Sequence, residues 1–265
     1  LQHPDGHSHV QAGLIPNCVT YDPTYGYEVA VIIRDGLRRM YEENESVFYY
    51  LTLMNENYQH PAIPEDKEVV DQIIKGIYQL ERVEAKAKKA TKAKKTEKDK
   101  VSNVQLMGSG TILQKVRQAA QILATEYGIS SDVYSVTSFN ELARDGQEAT
   151  RWNMLHPESK QKTAYISNVI TRDKGPAIAA TDYVKNYSDQ VRAYIDTEYR
   201  VLGTDGFGRS DSRDNLRQHF EVDQNYIVVA ALYELANRGE IDRKLVSEAI
   251  KRFNINADKL NPLYA

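Results

Sequence analysis

The sequence predicts an α/β protein with a doubly wound, mainly parallel sheet. From Asn103 onward, short runs rich in apolar and β-branched residues alternate with segments of helical periodicity, the pattern of βαβ units. Two of those runs end in glycine-bearing turns, Gly108-Ser109-Gly110 and Thr204-Asp205-Gly206-Phe207-Gly208, where strand-to-helix connections fall. The chain has 265 residues, 41% hydrophobic and 27% charged, enough for one large or two modest domains with ordinary cores.

Residues 1–24 carry Pro4, Pro16 and Pro23 and no periodicity, which predicts an extended loop. Between Tyr25 and Glu43, Val29, Ile32, Ile33, Leu37 and Met40 recur at helical spacing with Arg34, Arg38 and Arg39 outside the stripe, giving an amphipathic helix. Ser46 to Met54 is short and dense in aromatic and aliphatic residues, as a buried strand is. Pro61 and Pro64 then impose extended backbone, and a domain boundary is placed at 55–64. Glu65 to Lys75 reads as a helix and Gly76 to Val83 as a strand.

Eight lysines fill Lys86 to Lys100 with two acids and nothing larger than alanine to pack, so that stretch reads as a solvated insertion. Strands follow at Asn103–Met107, Asp132–Val136, Ala164–Ile170, Ala177–Ala180 and Arg200–Gly203. Helices alternate with them at Thr111–Tyr127, closed by Gly128, at Phe139–Met154 and at Tyr183–Tyr194. Three more lie at Arg213–Phe220, capped by Ser212, at Asn225–Arg238 and at Arg243–Phe253.

A net charge of −3 gives no reason to expect nucleic acid as a partner, and no apolar run reaches the roughly 20 residues of a membrane span. No signal peptide opens the chain, so the cytoplasm is expected. Cys18 is the sole cysteine, which rules out an internal disulfide and a cysteine-built zinc site and reads as a buried inert thiol. Tyrosine, at 18 residues against 5 Phe and 1 Trp, suits half-buried packing and assembly with other chains.

Half of the six histidines, His3, His7 and His9, stand within the first nine residues, before which an upstream segment is expected because no initiator methionine opens the chain. Imidazole transfers protons near neutral pH and is the commonest metal ligand, so the cluster points to a site. His7 and His9 with Asp5 form a possible metal set; neutral donors lining a substrate pocket are the stronger alternative. The Gly108-Ser109-Gly110 turn is either an anion cradle at a helix start or an empty tight turn, lacking both the third glycine of a dinucleotide fingerprint and the lysine of a P-loop. Asp205, Arg209 and Asp211 could form one charge network at the strand ends or serve as caps and interface. His60, His156 and His219 read as structural or surface residues.

Long stretches of this sequence resemble one family. They are Leu1 to His9, Ile15-Pro16-Asn17-Cys18, Tyr21-Asp22-Pro23, Tyr27 to Ile32, Asn55 to Tyr58, Ser135 to Phe139, Glu141 to Gly146, Arg151 to Pro157 and Leu202 to Ser212. The family is the homodimeric, bacterial-type decarboxylating component of the pyruvate dehydrogenase complex, transketolase-like and dependent on thiamine diphosphate and Mg²⁺. The resemblance implies that residues 1–60 are the tail of a pyrimidine-binding α/β domain and that 65–265 form a transketolase-like C-terminal domain carrying the Lys-rich insertion at 86–100.

It also implies decarboxylation of pyruvate to CO2 and reductive acetylation of the lipoyl group of the dihydrolipoyl acetyltransferase component. The family's metal- and diphosphate-binding residues and its activating glutamate lie upstream of the stretch matched, so the chain alone is expected to be inactive. His3 matches the histidine that contacts the substrate-derived adduct, where an imidazole stabilises developing negative charge and moves protons. His9 and His7 are the further catalytic candidates. A different reading is a stand-alone oligomerisation or small-anion-binding module.

Overall fold

A computed structural model describes residues 6–85 and 102–265 of the chain. A five-stranded sheet dominates. Its strands are β3 (Ile77–Val83), β4 (Asn103–Gly108), β5 (Ser130–Val136), β6 (Ala177–Ala180) and β7 (Tyr199–Leu202), in the order β3-β5-β4-β6-β7. β3 runs antiparallel to β5, and every other neighbouring pair is parallel. Alternation along each strand sends side chains to two separate cores, as the pleat requires. Val104, Leu106, Val133, Ile178 and Ala180 pack under helices α4 (Leu113–Ile122), α9 (Gln224–Asn237) and α10 (Arg243–Arg252). Met107, Tyr134, Val136, Ala177 and Ala179 pack under α5 (Phe139–Leu155), α6 (Tyr165–Val169) and α7 (Lys185–Asp189). Helices on both faces of a mostly parallel sheet are the expected doubly wound architecture.

Side-chain caps start several of these helices, Ser212 as the sequence predicts. Ser138 accepts the Glu141 N–H at the start of α5, Asp223 accepts two N–H groups at the start of α9, and Ser212 caps α8 (Arg213–His219). Gly128 closes the helical stretch after α4 at φ 69°, a left-handed conformation costly for any residue with a Cβ.

Residues 6–64 form a smaller unit against this one. Its elements are α1 (Ser8–Gly13), β1 (Cys18–Tyr21), α2 (Gly26–Leu37), running into a π-type turn over Arg38–Glu42, and β2 (Phe48–Leu51). β1 and β2 make a two-stranded parallel sheet, Cys18 opposite Phe48. The expected loop at 1–24 is therefore corrected within its described part. Cys18 to Tyr21 carries no alternation because all four residues are buried, so the period-2 signal of a half-exposed strand is absent. The strand expected over Ser46–Met54 shrinks to four residues and is only partly covered, Phe48 being 45% exposed. Cys18 is the buried free thiol expected, and burial pushes its pKa up.

Two further departures follow from tertiary contacts. Ala164–Ile170 is the helix α6, not a strand. Ile166 and Ile170 lie one turn apart and both are buried, and the Asp145 carboxylate accepts the Tyr165 N–H at 2.5 Å. The helix expected over Tyr183–Tyr194 is broken into α7 and a 3-10 turn at Arg192–Tyr194. Its first turn is spent on other partners: the Val184 N–H donates to the Gly6 carbonyl at 3.0 Å and the Thr204 N–H to the Tyr183 carbonyl at 2.8 Å. The Lys-rich stretch 86–100 lies outside the described residues.

Candidate functional site

From β4 the chain crosses to β5 on one side, and from β6 to β7 on the other, so the β4–β6 boundary is the switch point where open α/β sheets leave a crevice. The Gly108-Ser109-Gly110 turn forms its wall, and the chain fills it from within. Ser109 Oγ donates to Asp22 Oδ2 at 2.6 Å, Thr52 Oγ1 donates to Oδ1 at 2.7 Å, and the Gly110 N–H donates to the Asp22 carbonyl at 3.0 Å. Gly110 adopts φ 64°, and a Cβ there would lie 2.7 Å from the Asp22 carboxylate. The small-anion reading of this turn is thereby corrected, because the carboxylate it holds is the chain's own. Burial raises the Asp22 pKa to about 7 against the pull of the two hydroxyl hydrogen bonds, with Asp182 and Glu28 adding repulsion.

The histidines of the first segment separate. His9 lies on α1, fully buried. Its Nε2 stands 2.8 Å from Thr52 Oγ1, and when that hydroxyl donates to the ionised Asp22 carboxylate the imidazole must donate its Nε2 proton to Thr52. The ring stacks on Tyr187 at 4.7 Å and meets Tyr183 edge-on at 4.8 Å. His9, Thr52, Asp22 and Ser109 thus form one hydrogen-bonded chain across the switch point. His7, the residue before α1, is exposed and faces a cleft of about 280 Å³ that Gly6, Met54, Thr204, Leu216 and Phe220 also line. His3 lies outside the described residues, as does Asp5. With His7 at the surface and His9 turned inward to Thr52, those two do not converge as metal ligands. Among the described residues no three His, Cys, Asp or Glu side chains gather as a metal site.

The cleft floor is ionic. Arg217, 5% exposed, donates to Glu56 at 3.1 and 2.8 Å, to Asp182 at 3.1 Å and to Thr111 Oγ1 at 3.1 Å. Burial pushes the Glu56 carboxyl up, yet the Arg217 guanidinium holds it below the ordinary carboxylate range. Arg213 at the rim reaches the Asn55 carbonyl. Of the two readings left open for Asp205, Arg209 and Asp211, local pairs and helix capping hold in place of one charge network. Asp205 faces Lys185 at 3.4 Å, while Asp211 accepts from the Ser212 N–H and from Asn215 at the start of α8.

Against known proteins, residues 1–61 match the family described as pyruvate dehydrogenase E1 component middle domain, and residues 92–223 the transketolase-like TK C-terminal domain. Over 267 residues the chain is 59% identical to the pyruvate dehydrogenase E1 component of Escherichia coli and 54% identical to that of Haemophilus influenzae, covering 100% of this chain in each comparison. Along its whole length the chain matches one part of the pyruvate dehydrogenase E1 component. It spans 28% of the length of each of these relatives. Transketolases from Campylobacter jejuni and Leishmania mexicana share its fold, with TM-scores of 0.55 and 0.54 over 86% and 87% of the chain, at 16% and 15% identity and 28% and 27% of their own lengths.

Through that match the chain relates to thiamine diphosphate-dependent enzymes, and its described residues do not by themselves fit that cofactor. The switch-point turn whose N–H groups would suit a diphosphate is filled by Asp22, and no ligand cluster for Mg²⁺ is present among the described residues. What this E1 segment does contain is a junction. Ser109, from the turn singled out in the sequence, builds it together with residues the sequence reading did not single out for a role, Asp22, Thr52, Glu56, Asp182 and Arg217. A usable signal existed for part of this set: Asp22, Thr52 and Ser109 each follow the last residue of a strand, where the fold places its functional edge. Nothing local marked Glu56 or Arg217, which meet across 161 positions of sequence. Of the other histidines, His60 Nδ1 accepts the Gly26 N–H at 2.9 Å, His156 stacks on Trp152 at 3.8 Å, and His219 meets Phe220 edge-on, all structural roles.

Proposed function

We propose that this chain is part of a thiamine diphosphate- and Mg²⁺-dependent pyruvate dehydrogenase that releases CO2 from pyruvate and reductively acetylates the lipoyl group of the dihydrolipoyl acetyltransferase component. The 59% identity to an E1 component along the whole chain carries this reading. Residues 1–60 are read as the tail of the pyrimidine-binding domain and 65–265 as the C-terminal domain of a homodimeric cytoplasmic enzyme. Cofactor chemistry belongs to the full-length protein, which supplies the electron sink that decarboxylation needs.

The chain's own part is to hold the histidine segment at the carboxyl edge of the sheet. His3 is the residue assigned to hydrogen-bond developing negative charge and to move a proton; His7 stands beside it in sequence at the mouth of the cleft. His9, being buried, orients the segment through Thr52 and Asp22.

Pyruvate-dependent acetylation of a lipoylated acceptor by the full-length protein, with wild type and His3→Ala side by side, tests the reading. Acetyl transfer by wild type and a turnover loss of about 100-fold or more for His3→Ala are expected, in the range of a lost acid or base. A full-length protein that leaves pyruvate untouched overturns the function; an active His3→Ala variant overturns the assignment. Calorimetric titration of the 265-residue chain with thiamine diphosphate and Mg²⁺ should show no tight binding, and tight binding would contradict the division of labour.

A further inference from the structure

Arg144 stands on α5, in the larger unit, yet its guanidinium is spent on the smaller one. It donates to the carbonyls of Cys18 at 2.9 Å, Ile15 at 2.9 Å and Gly13 at 3.3 Å. These three carbonyls lie where α1 ends and β1 begins, and helix-terminal carbonyls lack partners inside their own helix. One turn earlier on α5, Asn140 donates to the His9 carbonyl at 2.8 Å and to Thr20 Oγ1 at 2.6 Å, while Gln190 holds its oxygen at 2.6 Å. The fit is close: a Cβ on Gly13 would come within 2.8 Å of the Asn140 amide. Ser138, at the start of the same helix, donates to the Thr20 carbonyl at 2.6 Å. The first two turns of α5 therefore grip backbone on both sides of the loop that joins α1 to β1.

We propose that Arg144, assisted by Asn140, is a positioning residue for the histidine-bearing segment. This rests on the functional reading above. Arg144 reaches across to carbonyl oxygens and to no side chain of the smaller unit, so what its contact fixes is the path of the backbone that delivers His9 and His7. The two NH2 groups of the planar fork serve four acceptors at once, the three carbonyls and the Glu141 carboxylate, one more than the three N–H donors of an ammonium can. Arg144 itself is partly exposed, its side chain 28% accessible and paired with Glu141 at 2.8 Å, so it adds little to either apolar core. Its loss should move the segment more than it unfolds the sheet. Displacement of a reacting group by about 1 Å is enough to cost about 100-fold in rate.

The test uses the full-length protein with Arg144→Met and Arg144→Lys. In Arg144→Met, amide hydrogen exchange over residues 8–18 should accelerate about 10-fold or more while β4 and β5 exchange as in wild type. Turnover of pyruvate should fall about 10- to 100-fold with KM held within about 3-fold, because binding is not what the contact serves. Arg144→Lys should fall between the two in both measurements and remains informative if Arg144→Met folds poorly. Unchanged exchange at 8–18 overturns the proposal, and so does faster exchange with wild-type turnover. If wild type itself leaves pyruvate untouched, the functional reading fails separately, and the exchange rates still decide whether Arg144 holds the segment.

Discussion

The two units of this chain are stabilised in opposite ways. The larger, from Glu65 onward, closes an apolar core on each face of its sheet, and its strands bury Leu106, Met107, Val133 and Ile178 with at most 1% exposed. The smaller, residues 6–64, has little apolar mass and buries His9, Thr20, Asp22, Thr24, Glu28 and Asp35. Several of those polar groups are satisfied by the larger unit: Glu28 by Tyr78 and Ser135, Asp22 by Ser109, Thr20 by Asn140. A buried polar group without a partner is costly, so the smaller unit takes its geometry from the surface it is docked on. One region folds by what it excludes from water, the other by whom it bonds.

The sharpest way to break this contrast is at Glu28. Its carboxylate receives Tyr78 Oη at 2.6 Å, Ser135 Oγ at 2.7 Å and the N–H groups of Thr24 and Tyr25 at 2.5 and 2.9 Å. Glu28→Ala strands four donors at the junction and should cost about 3–5 kcal/mol, visible in denaturant unfolding. A loss below about 1 kcal/mol would mean water or rearrangement satisfies them.

Gly110→Ala should follow, at about 2 kcal/mol, from a side chain forced into a left-handed backbone and against Asp22. A wild-type melting temperature would show that the junction yields.

Asp22 gives a pH signature. Its carboxyl sits at about 7 in the fold against an ordinary 3.8, so between those values the folded chain keeps a proton that the unfolded chain releases. Stability contributed by the protonated acid is complete below about pH 4 and is lost as pH rises through about 7. Asp22→Asn should therefore gain on wild type in melting temperature between pH 5 and pH 8. A constant difference across that range would exclude the raised pKa.

The smallest effects are expected where side chains are exposed or chain ends already meet. His7→Ala should change stability by less than about 0.5 kcal/mol, because the side chain is exposed. Replacing residues 86–100 with a short turn should do as little. Ala85 donates its N–H to Ser130 Oγ at 3.0 Å and the Ser102 carbonyl accepts the Ser130 N–H at 3.0 Å, so both described ends already meet at one residue. Loss of several degrees in either case would place hidden packing there.

This division also explains what was legible in the sequence. The larger unit is the more legible: α5 emerges near its expected bounds because its burial repeats with helix period, while β4 and β6, buried on both faces, emerge as short apolar runs between helices. Where contacts override period, reading fails. Ala164–Ile170 shows β-branched composition yet turns as a helix over buried Ile166, and β1 hides because both of its faces are covered. The histidine cluster was visible as composition. That His9 points inward while His7 points outward was not, since contacts with residues distant in sequence, Thr52, Tyr183 and Tyr187, decide it.

Cys18 gives the junction a reporter of its own. The thiol is 1% exposed, it is the chain's sole cysteine, and the carbonyl of the same residue is one of those Arg144 holds. A disulfide reagent added to the native chain can modify it only in the moments when β1 lifts from α5. Labelling rate therefore reads the opening frequency of this one seam, and under reagent excess it saturates at the opening rate itself.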